Sequence, residues 1–343
     1  MHNVVRKINI LKSYTKKCAN NFADDLHLHI LKGLTSMLNV VLKSLRNICS
    51  DGAVLGVHTF PSLEPLFFWG GRIIDPMPII CTLYRRSTET FIRRLDAAGH
   101  LHRTLQIEDI EFVFNISDFT VSPWFFNHRL FEPLTTHLVL DCLRPGMTFV
   151  DVGANRGYFS ILAARRVTGS GQVYSFEPNP AVMADFKTHV ALNNVENIVQ
   201  GSDLAITDSA GHEVELFIST CPTNSGLSSL TPSEEMLAQG ALTPANTIRV
   251  RTETLDQWSE VVRIDKPIDL IKIDVEEAED LVLRGMTRLL KDAPPHRIVV
   301  ETTPHSPAHC SLSEYGYHWA LLDQDGDKFN ILFTHPTAVQ AQA

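Results

Sequence analysis

Thr148-Phe149-Val150-Asp151-Val152-Gly153-Ala154-Asn155-Arg156-Gly157-Tyr158-Phe159-Ser160 decides how this chain folds. A β-branched and aromatic run ends in an acid, a glycine-bearing turn follows, and Tyr158 to Val167 reads as a helix. Strand, tight turn and helix in that order open a doubly wound α/β sheet, whose ligand binds at the carboxyl end of the strand. Glycine in the turn lets a ligand approach the backbone, because no Cβ stands in the way.

The residues around the turn narrow the ligand. A dinucleotide site needs G-x-G-x-x-G, so that backbone amides and a helix N-terminus meet a pyrophosphate. Counting from Gly153, the later glycine places hold Asn155 and Arg156 or Tyr158, so the fingerprint is absent. Asp151, two residues before Gly153, suits a cation better than a phosphate. S-adenosylmethionine carries a sulfonium and an ammonium and no phosphate. Gln172 to Phe176 reads as a second strand closing at Glu177, ahead of Pro178-Asn179-Pro180. An acid there can take both ribose hydroxyls of an adenosyl group. Nicotinamide enzymes place an acid similarly, so the missing glycines and not Glu177 argue against an NAD-linked oxidoreductase. The plainer competing reading is that Asp151 and Glu177 cap helices.

Three stretches together resemble the FkbM-type methyltransferases: Phe149 to Ser160, Phe176 to Pro180, and Leu270 to Glu276 continuing through Ala278, Glu279 and Leu283 to Met286. The resemblance covers residues 110–335, with the motifs in the family's order and spacing. It implies an S-adenosylmethionine-dependent O-methyltransferase acting on a hydroxyl of a sugar, glycolipid or secondary metabolite. The implied fold is a Rossmann-like class I methyltransferase sheet ending in an antiparallel hairpin, here Tyr317 to Leu322 and Phe329 to Phe333 across Asp325-Gly326. The candidate cofactor set is Asp151, Gly153, Ala154, Asn155, Gly157, Tyr158, Glu177, Asn179, Asp203, Ala205 and Asp274. Asn224 and Ser228 lie in a polar loop resembling one near the family's active site and, with Glu276, form the candidate acceptor set. Glu132 would take the place of a glutamate that ends the family's lead-in. One departure is plain: Glu277 stands where the family has glycine. It is read as an acid in the first turn of a helix, against a competing reading in which its side chain enters the acceptor pocket.

A hydroxyl acceptor needs its proton removed, so a base is expected at a strand end. Asp274, Glu301 and His305 are the catalytic candidates. Glu276, Glu279 and Asp280 equally suit the acidic first turn of a helix, and His305, between two prolines, suits an ordinary loop. Carboxylates at Asp274, Glu276 and Glu301 are compatible with a divalent metal, but the spacing does not require one. A non-catalytic nucleoside- or partner-binding module is the reading from another class.

The remainder of the chain bounds these readings. With 343 residues, 44% hydrophobic and 20% charged, it holds one large domain with an extension, or two domains. A net charge of −9 argues against a nucleic-acid partner. Residues 1–50 carry eight Lys or Arg against two Asp, a net +6 that leaves −15 for the rest. Leu31, Leu34, Leu38, Leu42, Leu45 and Ile48 give that segment a helical apolar stripe. It reads as a helix packed on the main domain or a second subunit, or as a docking element for an anionic membrane or a protein partner. Residues 51–109 resist assignment, 110–335 form the main domain and 336–343 a tail. Six singly spaced cysteines, no C-x-x-C pair, no membrane-length apolar run and no leader-like N-terminus give a cytoplasmic expectation, peripheral to the membrane if the basic helix docks there.

Overall fold

The computed structural model describes residues 102–107, 110–115, 130–219, 226–238, 240–264, 268–325 and 328–340. The expected basic helix and Asn224 lie outside them, as does most of the 51–109 segment.

A two-stranded antiparallel ribbon comes first, β1 (His102–Ile107) and β2 (Ile110–Asn115). Ile110 and Phe112 are buried and Glu111 is exposed, the alternation a half-buried strand requires. Asn193 ties the ribbon to the body, accepting from the Glu111 amide at 2.9 Å and donating to its carbonyl at 2.8 Å. Next come α1 (Pro133–Cys142), β3 (Thr148–Val152), α2 (Tyr158–Val167), β4 (Gln172–Phe176), α3 (Pro180–Leu192) and β5 (Val199–Ser202). Pro180 opens α3 with its fixed φ, and the Asn179 side chain caps it by accepting from the Ala181 amide at 3.1 Å. Arg165 and Arg166 close α2 where its dipole favours cations.

A small sheet interrupts the alternation: β6 (Ala205–Ile206), β7 (Glu213–Ile218), β8 (Ser228–Ser229) and β9 (Thr247–Glu253), with α4 (Glu234–Ala238) between β8 and β9. Its order is β6-β9-β7-β8. The chain then runs through α5 (Leu255–Val261), β10 (Leu270–Ile273), α6 (Glu279–Arg284), α7 (Thr287–Asp292), β11 (Arg297–Thr302), α8 (Pro307–Glu314), β12 (His318–Asp325), β13 (Lys328–Thr334) and α9 (Thr337–Gln340).

The main sheet has the order β12-β13-β11-β10-β3-β4-β5. β5, β4, β3, β10 and β11 are parallel, and β13 runs against both β11 and β12. The chain is therefore a doubly wound α/β sheet closed by a reversed hairpin. One face packs Val150, Val152, Ile271, Ile273, Ile298 and Val300 against α5, α6, α7 and α8. A strand buried on both sides needs no polar alternation, which is why β3 and β10 read as nearly continuous apolar runs.

The helical pattern from Ala278 to Leu290 forms two helices, α6 and α7, and not one. Gly285 ends α6 with its backbone against Thr207, where an added Cβ would stand 1.9 Å from the carbonyl oxygen. Two further helices lacked an expectation: α5, capped by Thr254, and α8, capped by Ser306 with Pro307 in its first turn.

Candidate active site

The chain leaves β3 towards β4 and β5, then returns to β10 on the other side of β3. Strand order reverses there, and the carboxyl ends of β3 and β10 diverge into a cleft, the position where open α/β sheets bind ligands. The cleft is open to solvent, and the empty space over its lining residues, bulk solvent at its mouth included, is about 610 Å³. Gly153, Asn155, Glu177 and Asp274 line it from the main sheet, and Ala205, Ile206, Leu216 and Ser228 from the small one. Three carboxylates line it, those of Glu177, Asp274 and Glu276, and no Lys or Arg does among the described residues.

Gly153 has φ +84, and a Cβ there would fall 1.8 Å from the Asp274 carbonyl oxygen. Only glycine lets the ends of β3 and β10 approach so closely. The amides of Gly153 and Ala154 both donate to the Phe176 carbonyl, at 3.0 and 2.9 Å, fixing the turn to the end of β4. Glu177, 5% exposed, accepts from the amides of Asn155 at 3.1 Å and Asn179 at 2.8 Å. Burial pushes its carboxyl up to about 7, against the pull of those two amides.

Beneath the cleft lies a charged cluster. Lys272, 3% exposed in mid-strand, donates to Asp274 Oδ2 at 2.7 Å and sits 4.8 Å from the centre of the Phe159 ring. Burial alone would lower the Lys272 pKa, but Asp274, Glu132 and Asp151 raise it above its ordinary value. Burial pushes Asp274 up, and the Lys272 ammonium more than offsets it, so that carboxyl lies below the usual range. Asp151 lies opposite Lys272 in the β3–β10 register. Its Oδ2 accepts from Ser160 at 2.6 Å, and its buried Oδ1 has no hydrogen-bond partner among the described residues. Glu132, in a left-handed conformation (φ +39) at the head of α1, accepts from Asn330 at 3.3 Å. Burial carries it to about 7, opposed by Lys272.

A second lysine stands where a metal was considered. Lys328 Nζ donates to Glu276 Oε2 at 2.8 Å and Glu301 Oε2 at 2.9 Å, so an ammonium joins the two carboxylates. Among the described residues no group of three or more His, Cys, Asp or Glu is arranged to hold a metal ion. Burial pushes Glu301 up to about 8, helped by Asp274 and opposed by Lys328. Burial and Asp274 likewise raise Glu276.

Glu277 does not start a helix. It has φ +77, Glu276 before it has φ +53, and α6 begins at Glu279. Glutamate therefore adopts the backbone that glycine would take more easily. Neighbours enforce it: Ser229 Oγ donates to the Glu276 carbonyl, Thr231 Oγ1 to the Glu277 carbonyl at 2.9 Å, and Glu279 Oε1 accepts from the amides of Val275 and Glu277. Glu277→Gly is accordingly expected to stabilise the fold by about 1 kcal/mol, the left-handed strain less the freedom glycine adds to the unfolded chain. Thermal denaturation checks the sign, and a lower melting temperature would show that the Glu277 side chain contributes more than its strain costs.

Of the candidate cofactor set, Gly153, Asn155, Glu177, Ala205 and Asp274 line the cleft, as do Ser228 and Glu276 of the acceptor set. Asp151, Ala154, Tyr158 and Asn179 are buried behind the wall. Gly157 is the left-handed N-cap of α2, packed on Phe186. Asp203 is exposed, 3.6 Å from Arg251, and does not itself line the cleft, although Leu204 and Ala205 after it do. His305 is exposed, with φ +68, its ring 5.7 Å from that of His309, and it does not join the carboxylates. Glu301 reaches the site through Lys328. Lys272 and Lys328 were missed; the only trace of the first was a cation interrupting the most apolar strand.

The family profile described as "Methyltransferase FkbM domain" matches residues 151–329. A protein named Methyltransferase 1, of Beauveria bassiana, is 28% identical over 40% of this chain and 57% of its own length. One named Methyltransferase sdnD, of Sordaria araneosa, is 30% identical over 40% of this chain and 59% of its own. The chain thus spans under three fifths of the length of these curated relatives. The solved structure of the tRNA (uracil-54, C5)-methyltransferase of Pyrococcus abyssi in complex with S-adenosyl-L-homocysteine aligns with a TM-score of 0.37 and 14% identity, over 68% of this chain and 43% of that one. The profile match runs from Asp151 within β3 into β13 and takes in more than half of the sequence: this chain belongs to the FkbM methyltransferase family.

Proposed function

We propose that this chain transfers the methyl group of S-adenosylmethionine to a hydroxyl of a small acceptor, a sugar, glycolipid or secondary metabolite. The observation that carries the reading is a switch-point cleft lined by three carboxylates and no cation among the described residues. Asp274 and Glu276 are paired behind that wall with Lys272 and Lys328, so the lining offers acceptor oxygens and no donor cation. A pyrophosphate finds no partner there, whereas a ligand bearing a sulfonium and an ammonium does. The orphaned Asp151 Oδ1 beneath the floor fits the same charge preference. The acceptor class rests on the family resemblance.

When bound, the cofactor supplies an electrophilic methyl group and a thioether leaving group. The chain's own residues bind and orient it. Glu177 would accept from both ribose hydroxyls, Asp274 would hold the ammonium, and the apolar residues Leu204, Ile206, Leu216 and Leu230 that line the cleft would cover the adenine and exclude water. Asp274 and Glu177 are committed to those tasks. Glu276, raised above the usual carboxylate range and held by Lys328, takes the acceptor's hydroxyl proton.

Incubation of the purified chain with methyl-labelled S-adenosylmethionine and fractionated glycans, lipids and small metabolites tests this. Label is expected in a hydroxyl-bearing fraction. Glu276→Gln is expected to lower transfer about 100-fold while leaving cofactor affinity nearly unchanged, the size of a lost general base. Cofactor binding with no labelled fraction would favour the non-catalytic module, and NAD binding in place of S-adenosylmethionine would overturn the methyl-donor reading. Among the described residues no helix is long and apolar enough to cross a membrane. Residues 1–50 are proposed as the docking element for an anionic surface or a protein partner, on their charge alone.

A further inference from the structure

Lys272 places an ammonium in one of the most enclosed strands of the sheet. Its neighbours along β10, Leu270, Ile271 and Ile273, are fully buried. Alternation puts Lys272 and Asp274 on one side of the strand, and the 2.7 Å contact joins them. The Phe159 ring lies under the ammonium. A buried ion pair of this kind gains little over a well-packed apolar pair in stability. Its consequence lies at the one end that meets the cleft, and that end is Asp274.

We infer that Lys272 is a positioning residue for the cofactor: it keeps Asp274 a carboxylate and holds it at the cleft floor to receive the ammonium of the methionine moiety. The inference rests on the methyl-donor reading and adds to it a residue that lines no part of the cleft. Asp274 is crowded by acids. Asp151 stands on β3, Glu132 at the head of α1, Glu276 and Glu279 before and in α6, and Glu301 on β11, while Lys328 on β13 is the second cation. Without Lys272, an acid in that company takes up a proton and becomes a hydrogen-bond donor that opposes an ammonium. Lys272 itself is fixed by Phe159 below and carboxylates around it.

Calorimetric titration of the full chain with S-adenosylmethionine between pH 6 and pH 9 tests this. Lys272→Met is expected to bind about thirtyfold more weakly near pH 7, the value of one charge-assisted hydrogen bond, and to regain about tenfold per pH unit as Asp274 ionises. In buffers of different ionisation enthalpy the variant releases one proton more on binding than the wild type, whose own release comes from Glu177. Asp274→Asn is expected to lose the same factor at every pH. A loss in Lys272→Met that is equal at all pH values assigns Lys272 a packing role only and overturns the inference, as does wild-type affinity in either variant. Should circular dichroism show Lys272→Met unfolded, Phe159→Leu decides with Asp274→Asn: loosening the ammonium must give a smaller loss that rising pH restores, and a pH-independent loss overturns the inference. A wild-type chain that binds no S-adenosylmethionine overturns the methyl-donor reading and this inference with it.

Discussion

S-adenosylmethionine is expected to bind about thirtyfold more weakly at pH 5.5 than at pH 8.5, and Glu177→Gln to flatten that dependence. The sign follows from what Glu177 meets before and after binding. In the free chain burial holds its carboxyl at about 7, so below neutrality it carries a proton. In the proposed complex two ribose hydroxyls would donate to the ionised form, so binding would expel that proton and grow tighter as pH rises through 7, then level off. About 1.5 pH units below the midpoint the proton costs a factor of about thirty. Asp274 adds nothing to this window, since it is held below the usual carboxylate range. Calorimetry in the wild type and in Glu177→Gln is the measurement. A flat wild-type profile, or one that survives the substitution, would remove Glu177 from the ribose.

Gly153→Ala is expected to destabilise the fold by about 3 kcal/mol, combining a left-handed alanine with an overpacked contact. The added methyl would fall 1.8 Å from the Asp274 carbonyl oxygen. That carbonyl cannot retreat easily, because the Asp274 amide is bonded to the Val152 carbonyl at 3.0 Å within the same pair of strands. Gly211 is the control: it has φ +77 and nothing within 4 Å of the added atom, so Gly211→Ala should cost only the backbone strain, about 1 kcal/mol. Thermal denaturation of the two variants separates the terms. Equal losses would mean that β3 and β10 do not approach as described.

Local signals were legible where one segment specifies its own conformation. Residues 148–167 carried their strand, turn and helix in order, and Gln172 to Phe176 its strand, because both strands are buried on two faces and their apolar runs are bounded by turn residues. The α8 helix was legible too and went unread: Ser306 before Pro307 is a cap followed by a favoured first residue. The break at Gly285 was not, since it depends on Thr207, a residue 78 positions away that is invisible to a helical pattern. Glu277 misled for a similar reason. Its residue type fits a helix start, but hydrogen bonds from Ser229 and Thr231 hold that turn left-handed. At the site, Glu177 and Asp274 ended strands and were found by that rule. Lys328 was missed because its partners lie 27 and 52 residues away, and Lys272 because only the β3–β10 register, which sets Asp151 opposite it, shows that the cation is buried among acids beyond its near neighbour Asp274.

The strand order has a consequence for how the polypeptide is made. β3 and β10 are neighbours at the centre of the sheet, and the hydrogen bond from Thr148 to Asp269 at their base spans 121 residues of sequence. During synthesis β3, β4 and β5 emerge first with their helices, but the β10-facing edge of β3 stays uncovered until residues 270–273 have left the ribosome. That edge presents Phe149, Val150 and Val152, all buried in the finished fold, beside unpaired backbone groups. Long-range pairing of this kind is slow, and an exposed central strand is prone to associate with other chains. Truncations ending between β5 and β10 would therefore yield aggregates in place of a smaller working unit. Full-length chains would be most vulnerable while ribosomes pause ahead of residue 270.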